Sequence, residues 1–489
     1  MVSPQDLPEI RTELFVDGEP RGGADTLRVV DPGDTRAVAG YAAAASATQA
    51  ADAVAAAHRA FPEWAARTPQ ERAALLMAAL EPLEADRAAV AEVLTRENGK
   101  IRGESFVDSM VFAHRFALAA QLADQVDEVV HLPAPPYDTE VTYAPLGVVT
   151  IIVPFNWPLA ILAASLPQAL LAGNTVVVKP PPTAPLATAR TVAQVAAALP
   201  PGVLNVVTGA DAEIGPVLIQ DDRVRKVCFT GSPAGGKRIM AMAAESLTRV
   251  ALELGGNDPA IVCADADFGP DALQRLASGV FDSTGQICMA AKRIYVHRSR
   301  YDEIVDGLSA ILAGTRLGHG LADGVTMGPL HSPRQRDFVR GLVEKARADG
   351  AEVREFGEPV EGAELEHGNF LRPSLVLDPA DDAAIVVEEQ FGPTVPVLPF
   401  DDEDDAVARA NDTWSGLCSS VWTADRERAA AIARRMHTGY TFVNAHGAAH
   451  LDERAPFGGF RGSGMGREMG IEGVREFMDT SSTGFPAHP

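Results

Sequence analysis

Residues 147–179 read GVVTIIVPFNWPLAILAASLPQALLAGNTVVVK. Gly147–Val153 is a continuous apolar run rich in β-branched residues, as a strand buried on both faces requires. Leu159–Ala172 is longer, apolar and nearly free of β-branching, and is expected to be a helix. Thr175–Lys179 is strand-like again. A strand, a helix and a second buried strand form the repeating unit of a parallel sheet. The rhythm continues with Ala187–Ala198 helical, Val203–Thr208 strand-like, Glu213–Gln220 helical and Lys226–Thr230 strand-like. A second alternation of the same kind runs from Ala260 to about Val443. The fold class expected is therefore α/β.

Upstream, Leu14-Phe15-Val16 runs into the turn dipeptide Asp17-Gly18, and a second short strand, Leu27–Val30, ends at Asp31-Pro32-Gly33, so the first segment is expected to be a strand hairpin. Ala43–Phe61 is Ala-rich and reads as a helix starting near Ser46 and Thr48. Thr68-Pro69-Gln70-Glu71 places Thr at the N-cap, Pro at the first helical position and Glu where it completes a capping box. The next helical pattern ends at Glu97-Asn98-Gly99, where Gly takes the left-handed cap position.

The 489 residues suggest about three domains. Lys plus Arg is 42 against 66 Asp plus Glu, a net charge of −24. That balance argues against a nucleic-acid partner or an anionic membrane, both of which need concentrated positive charge. Apolar stretches are too short or interrupted to span a bilayer. Four cysteines, standing singly at 228, 263, 288 and 418, make no disulfide framework and no zinc spacing. With no basic and apolar leader at the N-terminus, a cytoplasmic location is expected.

Two short segments carry chemistry. Cys288 stands in Gly285-Gln286-Ile287-Cys288-Met289-Ala290, outside any strand period, whereas Cys228 and Cys263 lie in or beside Val/Ile runs as buried hydrophobes do. A thiol reacts as thiolate, so its site must lower its pKa or hold a base nearby. Glu253, in Leu252-Glu253-Leu254-Gly255-Gly256-Asn257, has apolar neighbours that would raise its pKa, as suits a general base. The two glycines let the backbone turn closely against another segment.

These segments closely resemble the glutamate and cysteine signatures of the aldehyde dehydrogenase superfamily. The likeness spans nearly the whole chain. It extends to Pro154-Phe155-Asn156-Trp157-Pro158-Leu159, Ala172–Pro180, Phe229-Thr230-Gly231-Ser232 with Gly236, Glu388–Pro393, and Pro456-Phe457-Gly458-Gly459 followed by Ser463-Gly464. The resemblance implies a Rossmann-type dinucleotide-binding domain (1–124 and 146–254), an α/β catalytic domain (255–462) and a small β oligomerisation element (125–145 and 463–489). It implies NAD(P)-dependent oxidation of an aldehyde to a carboxylic acid in a homodimer or homotetramer, the C-terminal tail completing another subunit's sheet.

Carried over residue by residue, the resemblance makes Cys288 the nucleophile. Asn156 and the Cys288 backbone N–H become the oxyanion donors, each worth about 3 kcal/mol. Glu253 becomes the base that activates water on the thioester. Glu468 matches a position linked to proton exit, with a helix-surface salt bridge to Arg467 or a neighbour as the plain alternative. For the cofactor, Gly231, Ser232 and Gly236 open a helix towards the pyrophosphate. Lys179 reaches the adenosine ribose, Glu389 the nicotinamide ribose, and Phe391 and Phe155 lie near the nicotinamide. NAD-preferring relatives usually carry Glu three residues after this Lys. Pro182 stands there instead, so NAD or NADP stays open.

By analogy the aldehyde tunnel is lined by Ile161 and Ala164 of the helix after Asn156, by Ile287 and Met289 beside the nucleophile, and by Phe457. His114 and Arg115 lie either at the tunnel mouth or on a solvated helix face. His446 and His450 are four apart, yet no helix is expected there and the family needs no metal, so none is expected. Two rivals remain. A CoA-acylating enzyme typically lacks the glutamate base, and a non-catalytic protein reusing the fold has no need of intact Cys288, Glu253, Asn156 and Glu389.

Overall fold

The computed structural model describes residues 8–134 and 136–486, so the outermost parts of the first and last expected spans lie outside the described residues. The apolar runs form an eight-stranded sheet in the order Gly464–Met465, Arg249–Glu253, Val224–Thr230, Val148–Ile152, Thr175–Lys179, Leu204–Val206, Leu14–Val16 and Glu19–Arg21. The five central strands are parallel, and the flanking ones antiparallel. Val148–Ile152 and Thr175–Lys179 are buried at every residue, as their unbroken Val/Ile pattern demands. Leu162, Leu166 and Leu170 of the helix Pro158–Leu171 close one face over Val149, Ile151, Val176 and Val178.

A second, seven-stranded sheet runs Glu352–Glu355, Ser374–Leu377, Thr394–Phe400, Ala291–His297, Asp258–Val262, Cys418–Trp422 and Tyr440–Val443. All of its pairings are parallel except that of Glu352–Glu355. The chain passes from the first sheet to the second through Leu254–Asn257. Four residues therefore separate the carboxyl end of Arg249–Glu253 from the amino end of Asp258–Val262. Carboxyl ends of parallel strands are where open α/β sheets hold ligands.

The first segment differs from expectation. Leu14–Val16 pairs across Asp17-Gly18 with Glu19–Arg21, not with the region of Leu27–Val30. The latter lies in Asp25–Asp31, which pairs with Asp34–Ala44. Ala43 and Ala44 thus end a strand, and the helix is Ala47–Ala65 with Ser46 as its N-cap in a capping box. Alanine favours helix, but propensity is worth under about 1 kcal/mol per residue, and pairing with a neighbouring strand overrides it. The capping box at Thr68 and the left-handed Gly99, at φ 98°, are as expected.

The stretch after residue 462 divides. Gly464–Met465 joins the first sheet, and Val474 and Phe477 enter its core. Only Met478–Pro486 forms the separate three-stranded sheet, paired with Tyr137–Pro145, which pairs in turn with Val130–Ala134. Among the described residues no helix is long and apolar enough to cross a membrane.

Candidate active site

Cys288 sits between a tight turn and the buried strand Ala291–His297. Ser283, Thr284 and Gly285 all have left-handed backbone, at φ 55°, 57° and 71°. For Ser and Thr this costs on the order of 1 kcal/mol each. Hydrogen bonds hold the turn: Ser283 N–H donates to Glu104 Oε1 at 2.6 Å, and Thr284 Oγ1 to Gly328 O at 3.1 Å. A Cβ on Gly285 would fall 2.2 Å from the Gly392 carbonyl, so only glycine lets the turn press against the segment carrying Glu389. Further on, Lys292 Nζ donates to Ile287 O at 2.5 Å, and His446 Nε2 donates to Met289 O at 3.0 Å. Both carbonyls adjoin Cys288. Of the four free cysteines, Cys288 alone is partly exposed.

Asn156 follows the strand Val148–Ile152 and is buried. Its side-chain Nδ2 donates to Gln286 O at 2.9 Å. The Asn98 amide in turn holds the carbonyls of Phe155 and, at 3.2 Å, Asn156. The Phe155 ring stacks on His331, 4.1 Å between centroids, and meets Phe391 edge-on at 6.2 Å.

Glu253 is the last residue of its strand and is buried, and its Oε1 has no hydrogen-bond partner among the described residues. The two glycines after it explain how three loops converge. A Cβ on Gly255 would lie 2.0 Å from Glu389 Oε2, and one on Gly256 would lie 2.5 Å from Cys288 O. Gly256 N–H donates to Glu389 Oε1 at 3.1 Å. Burial raises the Glu253 pKa well above the ordinary carboxylate value, and the charge of Glu468 raises it further. Burial also pushes the Cys288 thiol up to about 12, with Glu253 and Glu389 adding to the shift and Lys292 opposing it.

Glu468 is not on a helix surface. It is buried, forms an antiparallel bridge with Phe457, and accepts from Ser165 Oγ at 2.7 Å. The expected alternative of a helix-surface ion pair with Arg467 or a neighbour does not hold, because Glu468 is buried outside any helix, and Arg467 donates to the carbonyls of Gly459 and Gly466.

The remaining polar positions line the same edge of the first sheet. Lys179, the last residue of its strand, is buried and paired with Asp211. Gly231 N–H donates to Glu253 O at 3.0 Å, and Ser232 caps the helix Pro233–Ser246 by accepting from Gly235 N–H at 3.1 Å. Gly236 lies against Leu254, where a Cβ would approach to 2.8 Å. Burial raises the Glu389 carboxyl to about 7, opposed by Lys292 and the Gly256 N–H.

Ala164, Ile287, Met289 and Phe457 meet in one apolar cluster, with Cys288, Trp157, Tyr440 and Leu451 at its partly buried margin. Ile161 instead packs on the core of the first sheet. The solvated-face alternative does not hold for Arg115, which is buried, donates to Glu453 Oε1 at 2.7 and 2.9 Å, and donates to Ala160 O at 2.6 Å. His114 is exposed. Both ring nitrogens of His446 have protein partners, Met289 O and Ser420 Oγ, while His450 lies in a short turn at Ala448–His450.

Comparison with known proteins agrees with this geometry. The profile of the aldehyde dehydrogenase family matches residues 19–483. The chain belongs to the aldehyde dehydrogenase family. It is similar to a glutarate-semialdehyde dehydrogenase of Pseudomonas putida, 32% identical over 97% of this chain and 98% of that protein. It is similar also to a betaine aldehyde dehydrogenase of Bacillus subtilis, 33% identical over 95% of this chain and 96% of the relative. Among solved structures, the betaine aldehyde dehydrogenase of Staphylococcus aureus in complex with NAD+ superposes with a TM-score of 0.91 at 31% identity, covering 98% and 96% of the two chains. The activity is NAD(P)-dependent oxidation of an aldehyde.

Several residues around the site of this aldehyde dehydrogenase escaped the sequence reading. Asn98 was read only as a helix end, and Lys292, His331 and Asp211 were not singled out. A lysine four residues after Cys288 is the one local signal available. The pairing of Arg115 with Glu453 joins residues 338 apart in the chain, and nothing local marks it.

Proposed function

We propose that Cys288 is the nucleophile, Asn156 an oxyanion donor, Glu253 the base for hydrolysis and Glu468 its proton outlet. The observation that carries this reading is the convergence at Gly255-Gly256, which brings the Glu253, Cys288 and Glu389 segments into van der Waals contact. Cys288 Sγ gives up its proton to solvent and, as thiolate, attacks the aldehyde carbon, and the carbonyl oxygen becomes an oxyanion. In this reading the Cys288 N–H and the second N–H of the Asn156 amide donate to it. Collapse of that thiohemiacetal expels a hydride and leaves a thioester on Cys288. Glu253 then takes a proton from water, the water oxygen attacks the thioester carbon, and Cys288 leaves as thiolate. Splitting one hard step into two is the gain of covalent catalysis.

The residues at the sheet edge fit a nicotinamide dinucleotide. A helix N-terminus faces out beyond Thr230, a cation ends Thr175–Lys179, and Glu389 offers carboxylate oxygens in a notch that a Cβ on Gly255 would fill. When bound, the oxidised nicotinamide accepts the hydride. In this reading Gly231, Ser232 and Gly236 serve the pyrophosphate, Lys179 the adenosine ribose, Glu389 the nicotinamide ribose, and Phe155 and Phe391 wall the ring. The apolar cluster of Ala164, Ile287, Met289 and Phe457 receives the organic part of the aldehyde.

The buried Glu253 favours water over CoA as the acyl acceptor. The domain division reads as a dinucleotide-binding unit on the first sheet, a catalytic unit on the second, and an oligomerisation element on the three-stranded sheet. A homodimer or homotetramer and a cytoplasmic location, in keeping with four unpaired cysteines, complete the proposal. The test is reduced-cofactor absorbance with a panel of aldehydes, with and without CoA, using the wild type and Cys288→Ala. Turnover that survives Cys288→Ala, or that requires CoA, contradicts the reading.

A further inference from the structure

We infer that Asp211 is the carboxylate that reads the adenosine ribose in this enzyme, and that it selects NAD over NADP. The inference rests on the cofactor placement proposed above and deepens it. Thr175–Lys179 and Leu204–Val206 are adjacent parallel strands. Lys179 ends the first, and Asp211 opens the helix Asp211–Gln220 that follows the second. The two side chains form an ion pair in front of the carboxyl ends of these strands, where the dinucleotide is placed.

The pair is asymmetric. The Lys179 side chain is 3% exposed and that of Asp211 is 77% exposed. The ammonium is thus enclosed and neutralised, while the carboxylate presents its second oxygen outward as a hydrogen-bond acceptor. A ribose diol needs such an acceptor. A 2′-phosphate needs donors and positive charge.

The loop after Lys179 is poor in donors. Pro180, Pro181 and Pro182 follow it without a single N–H, so this loop cannot cradle a phosphate with its backbone. The first turn of the helix Asp211–Gln220 carries two carboxylates, Asp211 and Glu213. Glu213 Oε1 already accepts from Ala47 N–H at 3.1 Å. A phosphate brought to that helix end would meet like charge before it met the backbone. Pro182 stands where NAD-preferring relatives usually carry Glu, and Asp211 supplies the missing carboxylate from the neighbouring strand's loop.

The test is isothermal titration of NAD+ and of NADP+ into the wild type, Asp211→Asn and Asp211→Glu, with steady-state kcat/KM for both cofactors alongside. The wild type should bind NAD+ at least about tenfold tighter than NADP+. Asp211→Asn should lower that ratio by about tenfold or more, through weaker NAD+ and stronger NADP+ binding, while Asp211→Glu keeps NAD+ preferred. Thermal melts identify any variant that fails to fold. In that event Asp211→Ser, which also removes the carboxylate, takes its place and should lower the ratio by a similar factor. A wild type that binds NADP+ as well as NAD+, or a ratio unmoved by Asp211→Asn, overturns the role of Asp211 alone. A wild type that binds neither dinucleotide overturns the cofactor reading beneath it as well.

Discussion

The side-chain amide of Asn156 donates to the main-chain carbonyl of Gln286 across 2.9 Å, two residues ahead of Cys288. One N–H of the amide is thereby committed to the nucleophile loop. In the proposed mechanism the other donates to the substrate oxygen, and the bond ties the amide to the loop that carries Cys288. Asn98 steadies the arrangement from behind by holding the carbonyls of Phe155 and Asn156. An oxyanion donor acts without reorganising only when it is held before the charge develops.

Replacing Asn156 by Ala removes both the donor and the tie. The first turnover, followed as the burst of reduced cofactor in stopped flow, should slow by about a hundredfold or more. A burst at the wild-type rate would show that the oxyanion is held elsewhere.

The pH dependence follows from the buried carboxylates. Glu253 must be ionised to take a proton from water, and burial followed by the Glu468 charge raises its pKa. With deacylation limiting, kcat should therefore rise with pH through a point above the ordinary carboxylate range. Glu468→Gln removes the negative neighbour that disfavours the Glu253 anion, so the inflection should move to lower pH. An inflection that stays in place or moves upward would contradict the coupling.

The sheet edge was largely legible before the structure. Thr175–Lys179 is bounded by Asn174 and Pro180, and its three valines leave one reading open. Glu253 and Cys288 could be found because each sits in an apolar or glycine-rich context that an ordinary surface residue lacks. Ala43 and Ala44 read as helix because alanine is a strong helix former, and only pairing with Asp25–Asp31 overrides that preference. Asn98, Arg115 and Asp211 act through partners distant in sequence, and a single sequence records no such pairing.

Assembly provides another test. The strand Met478–Pro486 pairs along one edge with Tyr137–Pro145 and forms the outer strand of its sheet. Open edges invite pairing. Light scattering at micromolar concentration should give two or four times the 51.6 kDa chain mass, and truncation after Met478 should reduce it. A wild-type particle of single-chain mass would contradict a tail that completes a neighbour's sheet.

Cysteine chemistry should be confined to one residue. Cys228, Cys263 and Cys418 are buried, whereas Cys288 is partly exposed. A limiting dose of iodoacetamide should modify Cys288 first and abolish activity in proportion, as peptide mass mapping would record. Because burial holds the thiol up to about 12, the alkylation rate should still be rising with pH above neutrality. Loss of activity tracking modification of any other cysteine would contradict the assignment.

The central claim is that Cys288 carries the acyl group and Glu253 releases it. Glu253→Gln keeps the shape of the side chain, removes the base and leaves the nucleophile in place. Mixed rapidly with aldehyde and oxidised cofactor, this variant should give a burst of up to about one equivalent of reduced cofactor per site and then stall. Peptide mass spectrometry of the quenched protein should find the acyl adduct on Cys288. Steady turnover at the wild-type rate, with no adduct on Cys288, would contradict the account.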